Sequence, residues 1–189
     1  ILEVPGWFDK QGLENFSGLL HLKRTFEVPK ELAGKSAILK MGTLVDSDRI
    51  FINGEKVGET GYCFPPRIYP VPEGLLKAGE NEIFIRLECR DGKGRITPDK
   101  PCDVCFESGE KISLRGTWDY QVRVVSEQAP ILTFITRQPT GMYQGMVAPC
   151  TNMTVKGVLW YQGESNEWYP ESYEDLIQKM ILNWRAHWK

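Results

Sequence analysis

Apolar residues recur at every second position in three separate stretches of the first 125 residues, and that period demands strands with one face on a core. Leu20, Leu22, Phe26 and Val28 alternate with His21, Lys23, Thr25 and Glu27, and only Arg24 breaks the pattern. Ile83, Ile85 and Leu87 alternate over Glu82 to Cys89, and Trp118, Tyr120, Val122 and Val124 form the last run. Between these, Ala37 to Val45 reads as a further strand. Arg49-Ile50-Phe51-Ile52 then runs into Asn53-Gly54, the pair a type I′ hairpin turn prefers because both central residues need positive φ; Lys56-Val57 begins the return. Short strands separated by turn residues predict a β-sandwich or jelly roll over residues 1–125.

The pattern loosens from Ser126 to Pro139, where Pro130, Pro139 and Gly141 punctuate the chain, and the boundary is expected there. Residues 126–189 read as a different class. Val155 to Tyr161 is apolar and β-prone, and it breaks at Gly163 into a polar run. The expected element is a buried strand that delivers Gln162, Glu164 and Asn166 to its carboxyl end, where open α/β sheets place their sites. Tyr173, Leu176, Ile177, Met180, Ile181 and Trp184 follow at helical spacing, and Ser172-x-x-Asp175 has the form of a capping box. One buried strand does not make a parallel sheet, so this α/β segment reads as truncated.

With 41% apolar residues, the chain of 189 can build a real core; no segment is long enough to span a membrane. The 23 Lys and Arg nearly balance the 25 Asp and Glu, so nothing steers it towards nucleic acid. The sequence starts at Ile1 with no initiator Met and with neither a charged nor an apolar leader pattern, which reads as a processed product or a fragment of a longer chain. Five cysteines leave at least one unpaired, and their spacing allows a disulfide framework without signalling one. Cys102-Asp-Val-Cys105 has half the ligands of a structural zinc site, and the bland alternative is small buried thiols.

Two resemblances add to this reading. Trp160-Tyr161-Gln162-Gly163-Glu164-Ser165-Asn166, with Tyr143-Gln144-Gly145-Met146-Val147-Ala148-Pro149 before it and Asn183-Trp184-Arg185-Ala186-His187-Trp188 after it, resembles the sialate O-acetylesterase family of SGNH hydrolases. Gln144 departs from it, standing where Asn is expected. Phe26-Glu-Val-Pro-Lys-Glu-Leu-Ala-Gly34, Asp46-Ser-Asp48, Phe51-Ile-Asn-Gly54 and Leu75-Leu-Lys-Ala-Gly-Glu-Asn81 resemble the galactose-binding-like jelly rolls of glycoside hydrolases. Together they imply a mainly β chain: a galactose-binding-like sandwich over 1–125, inserted in the parent protein, then a partial SGNH segment over 126–189.

The implied activity is removal of acetyl groups from sialic acid or related sugars by a serine, without metal or cofactor, in a periplasmic or extracellular protein. Such chemistry needs a nucleophile, a base and donors aimed at the oxyanion. The resemblance places the nucleophile in a Gly-Gln-Ser-Asn block and the Asp and His in an Asp-x-x-His block; neither block is in these 189 residues, which alone are expected to be inactive. Gln162 is the expected oxyanion donor, because an amide donates without changing charge; the alternative is a Gln that satisfies loop backbone. Gly163 lets backbone approach substrate and offers its N–H, whereas Glu164 and Asn166 either shape the loop or touch the ester. Tyr143, Gln144 and Met146 are expected beside the substrate.

Ser165 lacks the second Gly of Gly-x-Ser-x-Gly and reads as a turn hydroxyl. His187 reads as a partner of a helix terminus, not a triad base. Asp46 and Asp48 offer carboxylates to calcium or form a polar turn. Trp7, Phe8, Tyr62, Phe64 and Tyr69 are core or a sugar-stacking surface, and Arg67 pairs with a nearby acid or reaches a carboxylated sugar. The other functional reading is a non-catalytic carbohydrate-binding module. The incomplete α/β segment is expected to drive self-association.

Overall fold

The computed structural model describes residues 1–128, 138–167 and 169–188, without the side chain of Ser165. Among these residues the strands are β1 (Leu2–Val4), β2 (Gly6–Trp7), β3 (Gly18–Val28), β4 (Ala37–Lys40), β5 (Leu44–Val45), β6 (Ser47–Ile52), β7 (Glu55–Thr60), β8 (Ile68–Val71), β9 (Gly79–Cys89), β10 (Arg95–Ile96), β11 (Asp103–Phe106), β12 (Lys111–Ser113) and β13 (Gly116–Val125). The chain divides into two compact units, Ile1–Pro130 and Ile131–Lys189. The expected boundary falls partly on residues outside the description.

The first unit is a mainly β, antiparallel sandwich. A six-stranded sheet runs β1-β13-β3-β9-β6-β7, a four-stranded sheet runs β12-β11-β4-β8, and a short sheet runs β2-β10-β5. The alternation legible in sequence is the alternation of burial. Leu20, Leu22, Phe26 and Val28 of β3 and Ile83, Ile85 and Leu87 of β9 face one core, joined by Ile50, Ile52 and Trp118. Leu39, Val71, Val104 and Phe106 of the other sheet complete it. Each such side chain contributes roughly 1.5–3 kcal/mol on burial. The β6–β7 turn is the expected hairpin, with Asn53 at φ 50 and Gly54 at φ 85.

Arg24, the exception on the inner face of β3, is half-buried and donates from Nη1 to the carbonyls of Leu114 (3.2 Å) and Arg115 (2.6 Å). A guanidinium at the rim satisfies carbonyls of the β12–β13 turn that a leucine would leave bare. Asn53 and Asn81 are joined in the same way. Asn53 Nδ2 donates to Asn81 Oδ1 (2.7 Å), and buried Asn81 donates to the Lys77 and Gly79 carbonyls at 2.8 and 2.9 Å.

Two strand expectations are corrected. Residues 37–45 form two strands, β4 and β5, because the chain turns at Gly42 (φ 61) and the pieces join different sheets. Val122 and Val124 are exposed: Val122 still stands opposite buried Leu20, but the pairing of β13 with β3 then shifts register, so Val124 stands opposite the outward-facing Leu19.

Among its described residues, the second unit holds one long helix, α1 (Pro170–His187), a π-helical turn at Tyr143–Val147 and two 3-10 turns, Ala148–Cys150 and Glu164–Asn166. The buried strand expected from Val155 is absent: this stretch pairs with no strand among the described residues, and Leu159 and Tyr161 are almost wholly exposed. A strand satisfies its backbone only through a neighbour, and the described part of this unit supplies none. The expected capping box is also absent. Ser172 lies inside the first turn of α1, with its hydroxyl donating back to the Tyr169 carbonyl (3.3 Å), and Asp175 pairs with Lys179 (2.6 Å).

Candidate functional site

The polar block Gln162–Asn166 is held by the first turns of α1. Tyr173 donates its hydroxyl to the Gln162 carbonyl and accepts from Trp160 Nε1 at 3.2 Å. Gly163 (φ 156, ψ −15) sets up the 3-10 turn, closed by the Asn166 N–H donating to the Gly163 carbonyl (2.8 Å). Gln162 is exposed, and its Nε2 donates to Asn166 Oδ1 at 3.2 Å. An amide nitrogen carries two hydrogens, so a second N–H stays available for a ligand. The Gly163 N–H donates to Glu164 Oε2 (3.2 Å), so its use by an oxyanion requires Glu164 to swing away. Glu164 and Asn166 both make loop-shaping contacts. The Ser165 expectation lies outside the described side chains.

Tyr143, Gln144 and Met146 occupy the π-helical turn. The Tyr143 ring meets the His187 imidazole edge-on at 6.1 Å, the Gln144 N–H donates to the Thr140 carbonyl (2.9 Å), and Met146 is exposed. His187, in the last turn of α1, has Nδ1 2.8 Å from the Asn183 carbonyl. Tyr173 and His187 are 14 residues apart on one helix, roughly 21 Å at its rise per residue. The structure therefore ties the Gln162 turn and the Tyr143 turn to opposite ends of α1 and does not bring them together.

Between those ends lies a feature that residue-by-residue reading missed. Val155, Val158, Trp160, Ile177, Ile181 and Trp184 line an apolar groove of about 490 Å³. Trp160 and Trp184 meet edge-on at 5.8 Å, and Trp188 donates from Nε1 to the Met153 carbonyl at 2.7 Å. The available signal was the tryptophan-rich flank of the helix.

The acidic and basic candidates of the first unit are structural. Asp48 and Arg67 form a buried ion pair, Oδ1 to Nε at 2.5 Å. The rest of the guanidinium donates to the carbonyls of Pro65 (2.6 Å), Leu44 (2.9 Å), Tyr62 (2.9 Å) and Asp46 (3.1 Å). Of the two roles expected for Arg67, pairing with an acid is the one adopted. Asp48 Oδ2 accepts from the Tyr69 hydroxyl at 3.0 Å, and burial pushes that phenol up to about 12. Asp46 accepts the Arg90 N–H at 2.7 Å, and burial raises its carboxyl above the ordinary value. The aromatics divide: Phe8 and Tyr69 are core, whereas Trp7, Tyr62 and Phe64 are exposed and the Arg95 guanidinium lies 4.4 Å over the Trp7 ring.

Cys102 and Cys105 do not form half a zinc site. A spacing of three along a strand sends side chains to opposite faces, so Cys102 packs inward against Met41 Sδ (3.8 Å) while Cys105 is half-buried on the other side. Among the described residues, no three His, Cys, Asp or Glu cluster to hold a metal. Burial pushes the Cys89 and Cys102 thiols up to about 12. At pH 8 the folded protein is therefore expected to react with a thiol reagent at Cys63, Cys105 and Cys150 only, and at all five cysteines in denaturant. Rapid native labelling of Cys89 or Cys102 would contradict this. Together with Tyr69 these groups prefer their protonated forms when folded, so the stability they contribute is complete below about pH 9 and is lost as the pH rises towards about 12. Circular dichroism across that range reads the loss.

No family model matches the chain. A stretch of 45 residues, 23% of the chain, is 44% identical to the sialate O-acetylesterase of Mus musculus and spans 8% of that protein. The sialate O-acetylesterase of Homo sapiens is 44% identical over 45 residues, 9% of its length. The matched stretch is thus under a tenth of these relatives. Among solved structures, a β-D-glucuronidase of Dictyoglomus thermophilum aligns with 46% of this chain and 16% of its own (TM-score 0.42, 21% identity). A β-glucuronidase of Bifidobacterium dentium aligns with 47% and 15% (TM-score 0.42, 27% identity).

Proposed function

We propose that this chain is part of a periplasmic or extracellular carbohydrate O-acetylesterase, acting on acetylated sugars of the sialic acid type, in which Gln162 donates to the developing oxyanion. The likeness to sialate O-acetylesterases, 44% identity over 45 residues, carries the reading. In this mechanism a serine outside these 189 residues attacks the acetyl carbonyl, the His of an Asp–His pair passes the serine proton to the departing sugar hydroxyl, and water, deprotonated by the same His, hydrolyses the acetyl-enzyme to acetate and free serine. Gln162 suits its part: exposed at the head of a hydrogen-bonded turn, it points an uncharged donor without itself entering proton transfer.

The test is acetyl release from an aryl acetate and from an O-acetylated sialic acid, by this chain and by a longer protein that includes the serine and Asp-x-x-His blocks. Turnover by the longer protein alone is expected. Hydrolysis by the 189 residues themselves would overturn the placement of the nucleophile, and an inactive longer protein would overturn the esterase reading. The exposed apolar groove along α1 is further expected to drive self-association at micromolar concentration. A strictly monomeric chain in sedimentation would exclude that.

A further inference from the structure

We infer that the outward face of the six-stranded sheet, where β6, β7 and β9 meet, holds a binding site for one anionic sugar residue, with Arg86 taking its carboxylate or sulfate and its ring lying towards Tyr62 and Phe64.

A pocket of about 310 Å³, at the small end of ligand sites, opens there among Ser47, Arg49, Glu59, Thr60, Arg86 and Glu88. Its acids are already matched. Glu59 pairs with Arg49 and Lys56 (3.2 Å each), and Glu88 with Arg90 (3.1 Å) and the Ser47 hydroxyl (2.9 Å). Arg86 is left over: among the described residues of this unit it is the one arginine whose side chain makes neither a hydrogen bond nor an ion pair.

Its neighbours make that surplus costly. Arg86 stands directly opposite Arg49 on β6 and His21 on β3. Like charges in register across strands destabilise a sheet. The field registers on His21, whose imidazolium is disfavoured by burial first and then by the charges of Arg123 and Arg86. An oxyanion on the Arg86 fork relieves the repulsion through two parallel hydrogen bonds.

The remaining parts suit a sugar. Thr60, on the pocket wall, is fixed by the Tyr69 hydroxyl at 2.7 Å, and the spare lone pairs of Glu59 and Glu88 accept from ring hydroxyls. The chain continues from Thr60 and Gly61 into Tyr62 and Phe64, 57% and 80% exposed and meeting edge-on at 6.4 Å. Arg67 pins the backbone of this loop through the Tyr62 and Pro65 carbonyls, which lowers the backbone entropy lost when the two rings meet a ligand. The C–H face of a pyranose is the complement of such a ring face. The site lies within the first unit and its occupancy is read without any ester, so it stands apart from the esterase reading.

The experiment is titration of the 189-residue chain with methyl galacturonoside, galactose 6-sulfate, methyl galactoside and inorganic sulfate, followed by calorimetry and the His21 ring resonances. Both charged sugars are expected to saturate, with Arg86→Gln weakening them at least tenfold, Tyr62→Ala with Phe64→Ala weakening them severalfold, and Lys111→Gln on the other sheet having no effect. No saturation by either charged sugar, equal binding by the neutral galactoside, undiminished binding by Arg86→Gln, or inorganic sulfate binding as tightly as the sugar sulfate (an adventitious ion only) would each overturn the proposal.

Discussion

Asp48→Ala is expected to cost the first unit about 3–5 kcal/mol, because it leaves the Arg67 guanidinium charged and unpaired in the core. Against a typical total of about 5–15 kcal/mol this is a large share. The loss exceeds that of one hydrogen bond for two reasons. Arg67 cannot shed its charge, and Tyr69 loses the carboxylate acceptor for its hydroxyl, keeping only its contact with Thr60. The damage also spreads along the chain, since Arg67 holds carbonyls from Leu44 to Asp46 and from Tyr62 to Pro65. Urea unfolding followed by circular dichroism measures it. A loss below about 1 kcal/mol would mean that water reaches Arg67 and that the pair is not buried in solution. The double replacement Asp48→Leu with Arg67→Met separates the two costs: it removes both charges, so it is expected to recover part of the stability while loosening the Gly61–Pro66 loop.

Gln162→Ala, made in the acetyl-releasing protein, is expected to lower kcat by about 10²–10³-fold with little change in KM, as loss of one oxyanion donor does. The Gln162 amide keeps one N–H for the oxyanion while the other is spent on Asn166 Oδ1. Asn166→Ala is therefore expected to act more weakly, by freeing the Gln162 side chain from its orientation rather than deleting the donor. Steady-state rates with an aryl acetate read both. A Gln162→Ala enzyme at full rate would remove Gln162 from the oxyanion hole, and a matching rise in KM alone would make it a substrate-binding residue.

Much of the sandwich was legible beforehand. β3 and β9 stand where period-two alternation put them, and the Asn53-Gly54 turn has both residues at positive φ, as a type I′ turn requires. The helix was legible too, from six apolar positions at its own period, although it starts before the capping-box position: Pro170 opens it and Ser172 lies inside. Val155 to Tyr161 shows the limit of that method. Its residues suit a buried strand, yet a strand is a property of two segments, and the described part of the second unit contains no partner.

Sequence by itself therefore determined the elements and their faces: which residues of β3, β6 and β9 turn inward, where the hairpin reverses, and that a helix follows the Gln162 block. Those are local matters, decided by side-chain period and by the φ a turn demands. Tertiary structure alone decided the partners. It joined Arg67 to Asp48 across 19 positions, sent Arg24 to carbonyls 90 and 91 positions away, put Cys102 and Cys105 on opposite faces and left Arg86 facing Arg49 without an acid. These pairings depend on the register between strands remote in the chain. A polar residue's alternation records the face it occupies, but never the charge that stands across from it.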